Sequence, residues 1–271
     1  MQRTTPHTPL SSKDNAFIKR LSSLADPKHR KKEQAFVIEG VKMVEEALRD
    51  RSDVEAVIAA SSLVQHHGKG VLKLAEQRAV QIVWISERLM DAVAESKTPQ
   101  PVMAVVKMHE YSIDTLLSHD PGLVIVAHQL QDPGNLGTII RTAEAVKASG
   151  IAYTANTVDP FSPKAVRASM GSILRLPVVR INEVMDFLHL SKERGFRTIA
   201  AAMTGERTHF DVDLKKPTVV VLGQEGGGLP RDLMSAVDHC VRIPMSASID
   251  SLNVATSAAV ILYEAVRQRM A

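Results

Sequence analysis

The sequence has a single cysteine and no long apolar run. Cys240 is the only cysteine among 271 residues, which excludes an internal disulfide and a cysteine-rich zinc site. No early apolar stretch has the length of a signal peptide, and no uninterrupted run has membrane-spanning length. We therefore expect a cytoplasmic protein without a membrane partner. The ten histidines show no His-x-x-x-His spacing, and we predict no bound metal.

The composition is that of a folded protein with a local excess of positive charge. Charged residues make up 23% and hydrophobic residues 45% of the chain, which is typical of globular proteins. The net charge is only +3, but between Lys13 and Lys32 there are seven cations against two anions. Such a cluster favours a polyanion such as nucleic acid as a partner, and a solvated surface explains it equally well.

The patterning along the chain predicts two α/β domains. Residues 1–10 contain two prolines and no apolar period, which predicts a flexible tail. Residues 11–108 alternate helical and strand patterns and form the first predicted domain. Residues 109–120 lack a strong core signal and are interpreted as a linker. Residues 121–271 contain a second series of helical and strand patterns and form the second predicted domain.

The second series predicts a parallel sheet. Its apolar segments GLVIVA, GIAYTA, RTIAAAM, PTVVVLG and CVRIP are continuous rather than alternating, which indicates strands covered on both faces. The last helical segment is apolar along most of its length, so it packs against the core or against a second copy of the chain. Helical patterns separate the strands at Leu136–Lys147, Lys164–Leu174 and Glu183–Glu193.

A glycine-rich segment, VVVLGQEGGGLPRDL, follows one of these strands. Glycine lets backbone approach a ligand closely, because it has no Cβ and tolerates positive φ. Leu229 and Pro230 follow Gly228 where a P-loop needs lysine and a hydroxyl, and the spacing also fails the dinucleotide pattern Gly-x-Gly-x-x-Gly. Glu225 would repel a phosphate. The segment therefore holds a neutral or cationic ligand, or it is a tight turn without a ligand.

Three segments in this order resemble the signature motifs of the SpoU (TrmH) family of RNA ribose 2′-O-methyltransferases. They are LQDPGNLGTIIRTAEA (Leu130–Ala145), VLGQEGGGLP (Val221–Pro230) and IPMSASIDSLNVATSAAVILYEAVRQR (Ile243–Arg269). The segment Asp159–Val178 also resembles that family. The segment Arg30–Leu48 is similar to the family's N-terminal substrate-binding extension.

The resemblance implies a fold, a cofactor and an assembly. The implied fold class is α/β, with a C-terminal SPOUT-type domain in which a parallel sheet is trefoil-knotted, and a smaller N-terminal α/β RNA-binding domain. Family members act as homodimers and bind S-adenosylmethionine in the loops that form the knot. The same resemblance assigns the cofactor to Leu222, Gly223, Ile243, Met245 and Leu252.

The implied catalytic residues are Asn135, Arg141, Glu225, Ser251 and Asn253. We interpret Arg141 as a clamp on an RNA phosphate and a stabiliser of the developing alkoxide, with general-base action as the alternative. Asn135 and Ser251 also fit a structural role as helix N-caps. Glu225 orients the site through Arg141 or Asn135, or it is a loop acid exposed to water.

The implied reaction is methylation of a ribose 2′-hydroxyl in RNA, with ribosomal RNA favoured over transfer RNA. A non-catalytic RNA-binding or ribosome-assembly protein is the rival, and the presence of all five implied catalytic residues argues against it. A nucleotide-binding oxidoreductase is a third possibility that the glycine spacing disfavours. The predicted RNA contacts are Lys28, Arg30, Lys31, Lys32, Lys164 and Arg167, for which exposed surface cations are the alternative.

Overall fold

The computed structural model describes residues 9–50, 52–64, 68–96, 98–246 and 251–270, and within these the chain divides into two units. The first unit comprises residues up to His109 together with Phe161–Arg167. The second comprises Glu110–Pro160 and the residues from Ala168 onward. A segment from the middle of the chain therefore belongs to the first unit, where the ring of Phe161 lies 5.1 Å from that of Phe36.

The described part of the first unit contains a four-stranded mixed sheet with helices around it. The strand order is β1-β4-β2-β3, in which β4 runs antiparallel to both neighbours and β2 pairs with β3 in parallel. The elements are α1 (Ala16–Ser23), α2 (Pro27–Glu33), β1 (Ala35–Glu39), α3 (Val41–Arg49), β2 (Val54–Ala60), α4 (Lys69–Gln77), β3 (Gln81–Ile85), α5 (Glu87–Val93) and β4 (Val102–Lys107), with a short 3-10 helix at Ser61–Val64.

Buried aliphatic side chains hold α1 and α5 against this sheet. Ile18 and Leu21 of α1 pack in one cluster with Ile58 of β2 and Leu89 of α5. The Arg20 guanidinium donates hydrogen bonds to the carboxylates of Glu33 and Glu55, so it links α1 to α2 and β2.

The described part of the second unit contains a seven-stranded sheet in which every pairing is parallel, as the continuous apolar strands predicted. Its order is β7-β6-β5-β10-β8-β11-β9. The elements are α6 (Ile113–Leu117), β5 (Leu123–Ala127), α7 (Pro133–Ala145), β6 (Gly150–Tyr153), α8 (Pro163–Ser169, which begins in the first unit), β7 (Val178–Arg180), α9 (Val184–Glu193), β8 (Arg197–Ala201), β9 (Arg207–Thr208), β10 (Thr218–Leu222), α10 (Arg231–Ala236), β11 (His239–Arg242) and α11 (Val254–Met270), with a 3-10 helix at Ser172–Leu174.

The helices cover this sheet with apolar residues. Val124 and Val126 of β5 pack with Phe187 of α9 and Leu233 of α10 in one buried cluster. α7 and α11 pack against each other.

The C-terminal end of α11 is tied to the neighbouring loops by side chains. Arg269 donates hydrogen bonds to the carbonyl oxygens of Leu214, Pro121, Gly122 and Lys216 over 2.9–3.1 Å. The Gln268 amide is 9% exposed; it accepts from the Leu214 N–H and donates to the Val212 carbonyl.

The structure revises two sequence interpretations of organisation. Residues 1–8 of the predicted tail lie outside the described residues, but Leu10 pairs with Ile85 and its N–H donates to the Trp84 carbonyl. The predicted linker at 109–120 contains α6, in which Leu116 and Leu117 are buried in the second unit. Only two residues of α6 are buried, and two apolar positions do not form a helical pattern that the sequence analysis could detect. Among the described residues, no helix is both long and apolar enough to cross a membrane.

Candidate functional site

The C-terminal ends of β8, β10 and β11 open onto one cavity. Parallel neighbours end at the same edge of a sheet, so the segments that follow these strands come together there. The cavity has a volume of about 580 Å³, within the range of small-molecule and cofactor sites. It is lined by residues 201–204 and 222–229, by Met234, Val241, Ile243 and Met245, and by residues 251–254 and Ser257.

The glycine-rich segment forms a tight loop on this cavity. The N–H of Gly228 donates to the Gln224 carbonyl over 2.9 Å, which closes the turn, and Gly226 and Gly228 have φ of 88° and 66°. A Cβ on Gly223 would lie 2.6 Å from the Gly228 carbonyl oxygen. The two arms of the loop therefore pack backbone to backbone, and glycine is required where they meet.

Three segments far apart in sequence meet through side-chain hydrogen bonds beside this loop. The Asn135 amide nitrogen donates to Glu225 Oε1 over 2.8 Å, and the Asn253 amide nitrogen donates to Asn135 Oδ1 over 2.9 Å. The N–H of Gln131 donates to Glu225 Oε2 over 3.3 Å. We call Asn253, Asn135 and Glu225 the amide–carboxylate chain. An ionised carboxylate only accepts, so Glu225 fixes which end of the Asn135 amide faces it and which end faces Asn253.

Helix capping differs from the sequence interpretation at the start of α7 and at the start of α11. Asp132 caps α7, because its carboxylate accepts from the Asn135 N–H over 2.9 Å, and Asn135 lies within the first turn. At α11, Asn253 accepts from the N–H groups of Ala255 and Thr256 and is the cap in place of Ser251. The Asn135 side chain is thus available to the site, and Ser251 lies exposed on the cavity.

Arg141 lies apart from the amide–carboxylate chain. It follows Asn135 by six residues on α7, which at 1.5 Å per residue is about 9 Å along the axis and on a different face. Its side chain is exposed, and it makes no hydrogen bond or ion pair within the part of the chain that the structure describes. It is therefore free to bind an anion.

The residues present fit S-adenosylmethionine. All five residues that the resemblance assigns to the cofactor line the cavity: Leu222, Gly223, Ile243, Met245 and Leu252. Glycine backbone and aliphatic side chains suit a nucleoside, and backbone groups of the loop can bond its polar edges. Glu225 at the same wall is compatible with a ligand that carries a positive sulfur.

His128 is a neighbour of the site that sequence reasoning missed. It is 7% exposed, and its backbone N–H donates to the Leu222 carbonyl immediately before the glycine loop. Its Nδ1 lies 3.3 Å from Thr154 Oγ1, while Nε2 has no partner among the described residues. Burial lowers the pKa of His128, and the charge of Asp232 opposes that shift. Its position directly after a buried parallel strand is the sequence feature that could have identified it, because ligands bind at the carboxyl ends of such strands.

The predicted RNA contacts of the first unit separate into two groups. Lys28, Lys31 and Lys32 are exposed on α2, and their spacing places them on one side of the helix. Arg30 is 3% exposed and donates hydrogen bonds to the carbonyls of Leu24 and Ala25 over 2.7 Å. We therefore revise Arg30 from an RNA contact to a residue that stabilises the α1–α2 turn. On α8, Lys164 is exposed and Arg167 is half-buried.

The residues described by the structure contain no group of three or more histidine, cysteine, aspartate or glutamate side chains that could hold a metal ion.

Two family models match the chain. The model of the SpoU rRNA Methylase family matches residues 122–263, more than half of the chain. The model of the MRM3-like substrate binding domain matches residues 15–104.

Relatives match over almost the whole length. The chain is 30% identical to a 23S rRNA (uridine(2479)-2′-O)-methyltransferase of Streptomyces viridochromogenes, with 99% of this chain and 95% of that protein covered. It is 31% identical to the 23S rRNA (guanosine(2553)-2′-O)-methyltransferase RlmP of Bacillus subtilis, with 94% and 97% covered. The crystal structure of an AdoMet-bound rRNA methyltransferase from Sinorhizobium meliloti superposes with a TM-score of 0.85 at 31% identity, with 96% and 97% covered. The chain belongs to the SpoU rRNA methylase family.

Proposed function

We propose that this protein transfers a methyl group from S-adenosylmethionine to the 2′-hydroxyl of one nucleotide in ribosomal RNA. The observation that supports this most directly is the amide–carboxylate chain beside a glycine-lined cavity that fits the cofactor. The relatives whose names specify 23S rRNA support ribosomal RNA as the substrate.

The protein's own contribution is to position the hydroxyl. Bound S-adenosylmethionine supplies an activated methyl group on a positive sulfur. The Asn253 amide has a second N–H beyond the one bound to Asn135, and that N–H can bond the ribose oxygen. Since Glu225 fixes Asn135 and Asn135 fixes Asn253, this donor is held in one orientation before RNA binds.

Arg141 acts on the phosphate and the developing charge. A guanidinium is a permanent cation that bonds phosphate through two N–H groups at once. Its exposure and lack of a described partner leave it available to clamp the target nucleotide and to stabilise the oxygen as its proton leaves. General-base action by Arg141 remains the alternative, and it requires removing a proton from that cation.

The first unit grips the RNA backbone. Lys28, Lys31 and Lys32 present three exposed cations on one side of α2, and the unit matches a substrate-binding domain. Lys164 and Arg167 extend the proposed contact. Arg30 is not part of it, because its guanidinium is buried.

The protein is proposed to act in the cytoplasm as a homodimer with a trefoil-knotted catalytic unit. Tyr263 of α11 is 54% exposed, and an exposed aromatic side chain suits contact with a second copy of the chain. Light scattering of the wild type and Tyr263→Asp tests the dimer, and continuous electron density through residues 223–253 in a crystal structure tests the knot.

The decisive experiment measures transfer of labelled methyl from S-adenosylmethionine to unmodified ribosomal and transfer RNA. We expect label in ribosomal RNA at a ribose, complete loss with Arg141→Ala, and normal transfer with Arg180→Ala, an exposed arginine outside the site. Label in transfer RNA alone would show that transfer RNA, and not ribosomal RNA, is the substrate. Absence of transfer to either RNA, with the cofactor bound, would favour a ribosome-assembly role.

A further inference from the structure

Glu144 lies one turn from Arg141 on α7. Residues three apart on a helix are neighbours on its surface, with about 5–6 Å between their Cβ atoms, and opposite charges at this spacing pair with each other. The other positions three or four residues from Arg141 on the helix are Gly137, Thr138 and Ala145, so Glu144 is the one acid among them. Glu144 is therefore placed to compete with an RNA phosphate for the Arg141 guanidinium.

Glu144 pairs instead with a different arginine. Nε of Arg175 donates to Glu144 Oε1, and Nη2 donates to Oε2 over 3.0 Å, so one guanidinium occupies both carboxylate oxygens. A two-bond pair of this kind is stronger and more directional than a single contact. The hydrogen bonds from Arg175 lower the pKa of Glu144, burial opposes that shift, and a hydrogen bond from Ser172 adds to it. The carboxylate is thus ionised at neutral pH and already bound.

A buried turn holds Arg175 beside α7. The 3-10 helix at Ser172–Leu174 packs against α7, and its residue Ile173 is 6% exposed. The N–H of Arg175 donates to the Ser172 carbonyl over 3.1 Å, which fixes the backbone directly after this helix. The pairing with Glu144 therefore rests on the packing of the second unit.

We propose that Arg175 is a positioning residue that keeps Arg141 free to bind the RNA. By binding both oxygens of Glu144, Arg175 removes the acid that would otherwise pair with Arg141. Without Arg175, the charge of Glu144 would occupy the Arg141 guanidinium and repel the phosphate that it clamps. The inference rests on the proposed role of Arg141 in methyl transfer.

Single-turnover methyl transfer to saturating ribosomal RNA tests this role. Arg175→Ala lowers the rate about fourfold, because pairing on the helix and repulsion of the phosphate each cost about twofold. Glu144→Gln alone keeps the wild-type rate, since its amide carries no charge. Arg175→Ala combined with Glu144→Gln returns the rate close to that of the wild type, because no carboxylate is left to occupy Arg141.

The combined variant separates positioning from a structural role. It lacks the ion pair just as Arg175→Ala does, so both variants share any fall in melting temperature and only the rate recovers. Neither Glu144 nor Arg175 lines the cavity, so the Kd for S-adenosylmethionine stays unchanged in all variants. A rate that remains low in the combined variant would overturn the proposal, because Arg175 would then support the fold or contact the RNA itself.

Arg194→Ala is the matched control. Nη2 of Arg194 lies 2.5 Å from Asp114 Oδ1 in the same unit, and the Arg194 side chain is 37% exposed against 33% for Arg175. This variant loses a comparable ion pair and keeps the wild-type rate. An equal loss of rate in Arg194→Ala and Arg175→Ala would show that the effect is not specific to the neighbour of Arg141.

The same measurements separate this inference from the proposed function. A wild-type protein that transfers no methyl group to any RNA overturns the proposed function itself. A wild type that methylates RNA and loses activity with Arg141→Ala, together with an Arg175→Ala variant of unchanged rate, overturns only the role of Arg175.

Discussion

The side chain of Asn253 donates a hydrogen bond to the side chain of Asn135, which lies 118 residues earlier in the chain. The Asn135 side chain in turn donates a hydrogen bond to Glu225. The start of α7, the glycine loop and the start of α11 are therefore joined by polar side chains next to the cavity.

Loss of Asn135 should lower the rate of methyl transfer without abolishing cofactor binding. Asn135→Ala removes the donor to Glu225 and the acceptor for Asn253. The hydrogen bond to the charged Glu225 carboxylate alone contributes about 1.5–3 kcal/mol. We expect kcat to fall by about tenfold to hundredfold, measured by single-turnover transfer.

A double-mutant cycle checks that Asn135 acts through the amide–carboxylate chain. Asn135→Ala and Asn253→Ala together should cost less than the sum of the single variants, because both break the same connection. Asn182→Ala, at an exposed position outside the cavity, should retain the wild-type rate. If the two losses in rate were simply additive, Asn135 and Asn253 would not act through the amide–carboxylate chain.

Gly223→Ala should weaken S-adenosylmethionine binding by at least about tenfold, because overpacking of a closed site costs about 1–3 kcal/mol. The added Cβ would meet the Gly228 carbonyl at 2.6 Å and push the loop apart. Gly227→Ala is the control in the same loop, since its Cβ has its nearest neighbour at 3.4 Å. Calorimetry that finds equal losses in both variants would argue against the packing explanation.

The lysines of α2 and Arg30 should affect different measurements. Replacing Lys28, Lys31 and Lys32 together by alanine should lower the slope of log K against log salt for RNA binding by about 2. Arg30→Ala should leave that slope unchanged and lower the free energy of unfolding by about 1–3 kcal/mol, because two carbonyls lose their donor. Filter binding across salt concentrations and urea unfolding separate the two effects.

Glu264 should make stability depend on pH in the acid range. Hydrogen bonds from Arg267 and Gln268 lower its pKa from 4.5 to about 2. The folded form therefore holds its proton less tightly than the unfolded chain, so this stabilisation is complete above about pH 4.5 and is lost as the pH falls towards 2. We expect a contribution of about 1 kcal/mol, because solvent screens the exposed Arg267.

Urea unfolding of Glu264→Gln at pH 7 and pH 3 measures this contribution. The variant should lose less stability than the wild type between the two values, while Glu206→Gln, at an exposed position, should follow the wild type. An identical pH dependence in all three proteins would show that Glu264 does not contribute.

Most of the second unit was predictable because its strands are continuous apolar runs. The strands at Val178–Arg180 and Arg207–Thr208 were missed, since three and two residues are too short to produce a pattern. The segment RTIAAAM predicted strand as far as Met203, but β8 ends at Ala201. That difference of two residues moves Met203 from a sheet into the wall of the cavity.

The sequence predicted residues of the candidate site but could not predict their contacts. Motif resemblance named Asn135, Glu225 and Asn253, while their bonding depends on which residue caps each helix. The sequence interpretation named Asn135 and Ser251 as caps, whereas Asp132 and Asn253 are the caps in the structure. For Arg30, the run of cations suggested exposure, and only the fold shows its hydrogen bonds to the preceding turn.

The Arg269 guanidinium, bound to four carbonyl oxygens, fixes one end of α11, and Asn253 caps the other end. A helix of 17 residues spans about 25 Å. A shift at one end of so stiff a rod is transmitted to the other with little loss. The alignment of the Asn253 side chain beside the cavity therefore depends on an anchor about 25 Å away, at a residue that no inspection of the cavity alone would include.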